Sequence, residues 1–416
     1  MIGLVDGNNF FVSCERVFDP TLEGRPVAVL SNNDGCCVSR SNEFKALGIP
    51  MGTPYFQLKD RERTGELVFR SSNYELYGDM SRRMVSVLRE EAVDVEQYSI
   101  DEAFIHPPDS AIGDLEGYGV GLRAKILKWV GIPCGIGFAP TRTLAKIANH
   151  IGKKMKSGVF VMPEDVRPIL SGIPVGEVWG IGRRLSRKFM SLGILTAEQF
   201  MDMPDDDIRK AGSVLALRTA LELRGIPCVS HGDLGSAPDS ITCSRTFGET
   251  VTTLDDLVES IASFAATAAV RLRRHGLFAC GCNIYAQIGT ACDHTYAERT
   301  VVFPRPTDAT NEIISSIRPA AEALFLPGAR YRKSGIVFFG LQKEGTPRQM
   351  DLFAPDSGQQ SGHSRLFKAV DAINAKLSGC RIATAAEGIG EKSWRIRRDS
   401  LSRRATTCWD ELLAVR

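Results

Sequence analysis

Long apolar runs are missing from this 416-residue chain. None approaches the roughly twenty residues that a membrane-spanning helix needs, so no membrane association is expected. The N-terminus, MIGLVDGNNFF, also lacks a basic stretch ahead of an apolar one, and a cytoplasmic location is the expectation. Net charge is scarce as well. Against 51 Lys and Arg stand 49 Asp and Glu, leaving +2, so a polyanion would have to be held by local patches. Paired CxxC knuckles, the strong zinc signature, are absent. The 11 cysteines, an odd number without an export signal, imply reduced thiols. Cys280, Cys282, Cys292 and His294 are ligand types close in sequence. Strand alternation in FACGCNIYAQI is nevertheless expected to put Cys280 and Cys282 on one sheet face as buried free thiols.

What is present is a globular composition, 43% hydrophobic and 24% charged, with length for several domains. Through residue 165, strand and helix patterns alternate. IGLVD, RPVAVL, VDVEQY, SIDEAFI and PCGIGFA read as strands; Asn9–Val17, Ser41–Leu47, Tyr74–Glu91, Leu122–Val130 and Thr141–Gly152 read as helices. With an inserted segment near 20–72 set aside, the order is β-α-β-β-α-β, a split βαβ sheet with helices on one face. Residues 166–230 look all-helical, and 231–240 read as a linker of small and polar residues. Residues 241–342 repeat the β-α-β-β-α-β order. A polar, extended stretch over 343–360 leads to a basic, tryptophan-containing segment over 361–416.

Acidic residues stand out in two otherwise apolar strands. Asp6 closes IGLVD, and Asp101 with Glu102 sits within YSIDEAFI. Burying such groups unpaired is costly. A hard divalent cation with oxygen ligands removes that cost, and carboxylates from neighbouring strands suit two ions about 3.5–4 Å apart, the arrangement used in phosphoryl transfer. The alternative at this level is that Asp6 caps the following helix while Asp101-Glu102 lies exposed at a hairpin.

The N-terminal Asp-x-Asn-x-Phe-Phe pattern followed by Tyr-Ser-Ile-Asp-Glu-Ala-Phe resembles the Y-family DNA polymerases. SNNDGC, KALGIPMG, SSNYELYGDMS, TLAKIANH, VWGIGRR and CSRTFGE extend the likeness to the UmuC branch over essentially the whole chain. The resemblance implies an α+β, multidomain, right-hand polymerase. Its ferredoxin-like palm would be 1–19 and 73–165, with small fingers at 20–72, a helical thumb at 166–230 and a ferredoxin-like little finger at 241–342. A clamp-binding tail at 343–360 and a UmuC-type extension at 361–416 would follow.

The resemblance also implies roles for single residues. Asp6, Asp101 and Glu102, with the Gly7 carbonyl, match the ligands of two Mg²⁺ ions, for which Mn²⁺ could substitute. Phe11 matches the aromatic gate against a 2′-hydroxyl. Asn42 and Lys45 replace the Tyr and Arg common in the family; a lysine offers a point charge where an arginine offers a fork, and Arg40 is placed to compensate. Lys153 matches a phosphate-binding lysine. Gly180, Gly182, Arg183, Arg184, Arg187 and Lys188 resemble a helix-hairpin-helix grip on the DNA backbone. Arg245, and the basic trio Arg271, Arg273 and Arg274, are candidates for template contact. Gln349, Asp351, Leu352 and Phe353 fall in a sliding-clamp-type pentapeptide. Expected partners are primer-template DNA, dNTP, a sliding clamp, a UmuD′-like dimer and a RecA filament, with the enzyme nucleoid-associated at damaged DNA. Residues 360–416 supply no matched catalytic residue and are expected to be dispensable for the chemical step but needed for regulated activity. The implied activity is error-prone translesion synthesis; a non-catalytic DNA- and clamp-binding replisome regulator is the rival, and a two-metal phosphodiesterase a weaker one.

Overall fold

The computed structural model describes residues 1–229, 238–290, 293–344, 346, 360–376, 381–388, 392 and 394–412. Most of the 231–240 linker and the 349–353 pentapeptide lie outside the described residues. Contacts divide the chain into two units: Met1–Leu30, Cys36–Gly235 and Ser400–Arg416 form one, and Ser31–Gly35 with Ser236–Asp399 the other.

The first unit is built on a five-stranded sheet in the order Asp94–Gln97, Glu102–His106, Ile2–Gly7, Cys134–Ala139, Val159–Val161. The first four strands give the expected split βαβ arrangement. The last, parallel to Cys134–Ala139, has only 3 residues and is too short to carry a periodic signal. Helices Tyr74–Glu91 and Leu115–Val130 bury Met80, Met84, Leu122 and Ile126 against Val5, Ile105 and Ile136. The expectation of helices on one face alone needs correction. Leu4 and Phe104, which alternate with Val5 and Ile105, pack on the other face with Leu144, Ala145 and Ala148 of the helix Arg142–Gly152. Both faces are therefore buried, which is why these strands are continuous apolar runs and not alternating ones.

That second helix approaches the sheet closely because the strand CGIGFA carries glycines. A Cβ on Gly137 would stand 2.0 Å from the Asn149 backbone nitrogen. Asn149 then reaches through with its amide to the carbonyls of Leu4 and Gly135, at 3.2 and 2.8 Å.

Residues 20–72 contain a small mixed sheet, Cys37–Arg40, Val27–Leu30 and Val68–Ser71, over a core that includes Leu30, Phe44 and Phe69. Residues 166–229 are helical as expected, around Phe189, Phe200, Ile208 and Leu217.

The second unit repeats the element order but not the strand order of the first sheet. Its four strands run His294–Thr307, Leu277–Gly289, Tyr331–Lys343, Ile241–Val251, so the second and fourth in sequence are central. In the first sheet the first and third hold that position. A bulge between Ala279 and Gly281 shifts the register, which leaves Cys280 half-buried and out of phase with the fully buried Cys282. The expectation that both thiols share one face is corrected by that irregularity, across which Ala279 to Gly281 spans two positions and the partner Thr307 to Val302 spans five.

The C-terminal segment is built into these units. Trp394 packs edge-on to Phe264, with ring centroids 5.5 Å apart. Asp371, on the helix Gln360–Lys376, receives Arg273 through Nε and Nη2 at 2.7 and 2.9 Å. Arg273 also donates to the Asp308 carbonyl and to Thr310, and its side chain is 3% exposed. It is thus a structural arginine, and of the expected basic trio only Arg271 and Arg274 remain candidates for template contact. Removing one member of a fully buried pair costs about 3–5 kcal/mol because the other is left uncompensated, an upper limit here since Asp371 keeps 22% of its side chain in solvent. Arg273→Ala should lower the stability of the second unit by that order, and pairing it with Asp371→Ala should recover part of the loss. Denaturant unfolding of the single and double variants checks this; strictly additive losses would show that the pair is not coupled.

Candidate active site

Backbone register gathers the acids. Asp6 lies directly opposite Glu102 across one antiparallel pair and opposite Gly135 across the other. Glu102 opens its strand, while Asp101 sits in the preceding turn and not within the strand as its sequence context implied. The turn is tied by Ser99, whose hydroxyl donates to Asp101 Oδ1 at 2.5 Å and accepts from the Asp101 and Glu102 amides. Gly7 N–H donates to the Asp101 carbonyl at 2.9 Å, locking the turn to the strand end. Asp6 caps no helix. The N-cap of Phe10–Phe18 is Asn9, in the left-handed region at φ 50°, and it makes no side-chain cap.

Two lysines from the Arg142–Gly152 helix and its end face these acids. Lys146 Nζ meets Glu102 Oε2 at 2.8 Å, and Lys153 Nζ meets Asp6 Oδ2 at 2.6 Å. Their spacing of two helical turns aligns them along one face. Lys146 also lies over the rings of Tyr98 and Trp179, 4.4 and 5.2 Å from the centroids. Sequence reading missed Lys146, although TLAKIANHIGK shows it seven positions ahead of Lys153. Burial pushes the Asp6 carboxyl up to about 6; Lys153 pulls it down, and the charges of Glu102 and Asp101 push it further up.

Asp6 and Lys153 line two cavities. One, of about 350 Å³, is bounded also by Gly7, Phe11, Arg40, Asn42, Lys45 and Asp101. The other, of about 390 Å³, is bounded also by Glu102, Lys146, Asn149, Glu177 and Trp179. In the first, Lys45 donates to Asn9 Oδ1 at 2.6 Å, and Asn9 donates to Asn42 Oδ1 at 3.0 Å. Arg40 donates to the Ile49 carbonyl. Burial, then the charges of Arg40 and Lys153, hold the Lys45 ammonium below its usual range. Three cations, Arg40, Lys45 and Lys153, therefore share the first cavity with the carboxylates of Asp6 and Asp101, while Glu102 lines the second. Among the described residues no three His, Cys, Asp or Glu side chains converge on a common point, because the acids turn towards their lysines and Ser99. The donor set nonetheless fits a hard divalent cation: every donor is oxygen, and mutual repulsion contributes to raising Asp6.

Elsewhere in the first unit, Gly180 adopts φ +88° ahead of the Arg183–Ser191 helix, on which Arg183, Arg184, Arg187 and Lys188 are exposed. In the second unit Arg245 is half-buried and donates to the Ser244 carbonyl at 3.0 Å.

Residues 5–150 match the impB/mucB/samB family, residues 238–352 its C-terminal domain, and residues 364–415 a domain of unknown function. Protein UmuC of Salmonella typhimurium is 39% identical over 425 residues, covering 100% of both chains. Protein MucB of Escherichia coli is 36% identical over 420 residues, or 98% of each. Among solved structures, a Y-family DNA polymerase chimera aligns with a TM-score of 0.64 at 20% identity, spanning 83% of this chain and 100% of its own. That last likeness is one of fold.

The charge of Asp6 has a stability consequence. Burial holds its carboxyl up at about 6 in the folded chain, above the ordinary aspartate value of 3.8, so ionisation is disfavoured by folding. The stability it contributes is full below 3.8 and is lost as pH rises through about 6. Asp6→Asn should therefore stabilise the chelator-treated protein at about pH 7.5, by on the order of 1 kcal/mol after the loss of the Lys153 pair, and by less at about pH 5. Thermal melts at both pH values measure it; a variant less stable at the higher pH would mean that the Lys153 pair outweighs desolvation.

Proposed function

Since this chain belongs to the impB/mucB/samB family, the UmuC branch of the Y-family DNA polymerases, we propose that the two cavities meeting at Asp6 receive the two reactants of nucleotidyl transfer. The protein is a DNA-directed DNA polymerase that performs translesion synthesis in damage tolerance. The observation that carries the site reading is that Arg40, Lys45 and Lys153 share one cavity with Asp6 and Asp101, and that register sets Glu102 directly opposite Asp6 at the second. A non-catalytic regulator has no use for that arrangement.

In this reading the dNTP triphosphate takes the first cavity, against Arg40, Asn42, Lys45 and Lys153, and the primer terminus enters the second beside Lys146 and Trp179. The carboxylates of Asp6, Asp101 and Glu102, with the Gly7 carbonyl, would hold two Mg²⁺ ions, Mn²⁺ being the alternative. The chemistry such ions would supply there is a lowered pKa for the 3′-hydroxyl and neutralisation of charge on the leaving pyrophosphate. Lys153 and Lys146 neutralise the acids beforehand and release them when other positive charge arrives, Lys153 turning to the phosphates. Phe11 lies under the sugar and excludes a 2′-hydroxyl. Gly180, Gly182 and the exposed Arg183–Lys188 face grip the duplex backbone without reading sequence. Arg245 contacts the template. No described helix is long and apolar enough to cross a membrane, and the place of action is the cytoplasmic nucleoid at damaged DNA. Gln349, Asp351, Leu352 and Phe353 tether the enzyme to a sliding clamp, with a UmuD′-like dimer and a RecA filament as further partners.

Asp101→Ala or Glu102→Ala should abolish primer extension while primer-template affinity, set by basic residues elsewhere, is kept. Extension assays beside binding titrations decide it, and near wild-type extension by the double variant would end the site assignment. Leu352→Ala with Phe353→Ala should abolish clamp-stimulated synthesis and leave clamp-free extension intact, since tethering raises effective concentration by about 10²–10⁴ without touching the chemistry. Clamp stimulation retained in that variant would assign the tether elsewhere.

A further inference from the structure

Phe11 is supported from behind. Its ring lies flat on that of Tyr77, centroids 4.5 Å apart and planes 12° from parallel. Tyr74 meets it edge-on at 6.0 Å. Stacking alone leaves a ring free to slide sideways, so what fixes Tyr77 matters. Tyr77 is wholly buried, and its hydroxyl donates to Glu15 Oε1 at 2.6 Å. Glu15 is 2% exposed and stands one turn along the helix that begins at Phe10. It thus shares an element with Phe11 and closes a loop: ring to ring, ring to hydroxyl, hydroxyl back to the helix of the first ring.

The C-terminal segment enters this loop. Ser402 Oγ donates to the same Glu15 Oε1 at 3.0 Å and accepts from Asn73 Nδ2 at 2.9 Å. Asn73 is the N-cap of the Tyr74–Glu91 helix, its Oδ1 accepting from the Leu76 amide at 3.2 Å. One end of its amide starts the helix that carries Tyr77, and the other holds the tail. The tail strand is pinned alongside: Ser71 N–H donates to the Ser400 carbonyl, and Ser400 N–H to Ser71 Oγ, both at 3.0 Å. A carboxylate this deep, met by two hydroxyls, is an expensive device for packing alone.

We infer that residues 400–403 act through Glu15 and Tyr77 as the positioning support of the Phe11 sugar gate, so that the C-terminal segment sets how strictly ribonucleotides are refused. This rests on the reading of Phe11 as that gate. It gives a task to part of a segment that otherwise matches only a domain of unknown function. A gate works by steric exclusion over distances of an ångström or less, and displacements of that size change rates strongly.

The test uses the full-length chain on undamaged primer-template, with kcat and KM measured separately for one ribonucleotide and its deoxy counterpart. Tyr77→Phe and Ser402→Ala each remove one hydroxyl and no bulk. Both should raise the ribo-to-deoxy ratio of kcat/KM by about three- to tenfold, through a lower KM for the ribonucleotide. Glu15→Gln, whose amide oxygen still accepts from Tyr77, should keep most of the discrimination. Ratios equal to wild type in Tyr77→Phe and Ser402→Ala, alongside a raised ratio in Phe11→Ala, would overturn the inference and leave the gate standing. An unchanged ratio in Phe11→Ala as well would remove the gate reading itself.

Discussion

The site depends on a repulsion that the backbone refuses to relax. Register holds Asp6 opposite Glu102, and the Gly7 amide ties the Asp101 turn to the same strand end. Three like charges cannot drift apart without breaking the centre of the sheet. Their surroundings follow from that constraint: a helix brought close enough to present Lys146 and Lys153, and a glycine strand that lets it come so near. Each of two acids is thereby paired with an ammonium group.

The same pairing places cations along the walls of both cavities. Lys153 sits between the two cavities, close to Asp6 on one side and able to perturb Lys45 on the other. Arg40, Lys45 and Lys153 are brought together from separate elements. With a net charge of +2 for the whole chain, positive potential at this cavity is generated locally.

The strands, the acids and the cavity wall were legible because they carry short-range signals. Asp6 and Asp101-Glu102 interrupt apolar runs, and Tyr74–Glu91 has its helical stripe at the residues where the helix forms. Less legible were features decided by partners distant in sequence. Arg273 looked like its exposed neighbours until Asp371 claimed it. Cys280 looked in phase with Cys282, and a single bulge moved it. The second helical layer left a trace only in the evenness of the hydrophobic runs, and the Glu15–Tyr77–Ser402 contact left none, since a lone glutamate in an amphipathic helix reads as a surface residue.

The differing strand orders have a consequence for how the chain acquires its structure. In the second sheet, Leu277–Gly289 pairs with His294–Thr307, its immediate successor, so a local hairpin is available early. In the first, the opening strand Ile2–Gly7 must wait for partners at Glu102–His106 and Cys134–Ala139. Closing such a span is slow, because the chain loses loop entropy before any contact rewards it. During synthesis, then, the strand bearing Asp6 remains unpaired while most of the residues around it are still being made. The strand bearing Asp6 is the most non-local part of its sheet, and any delay between those segments is a delay in which an apolar strand lies open to other partners.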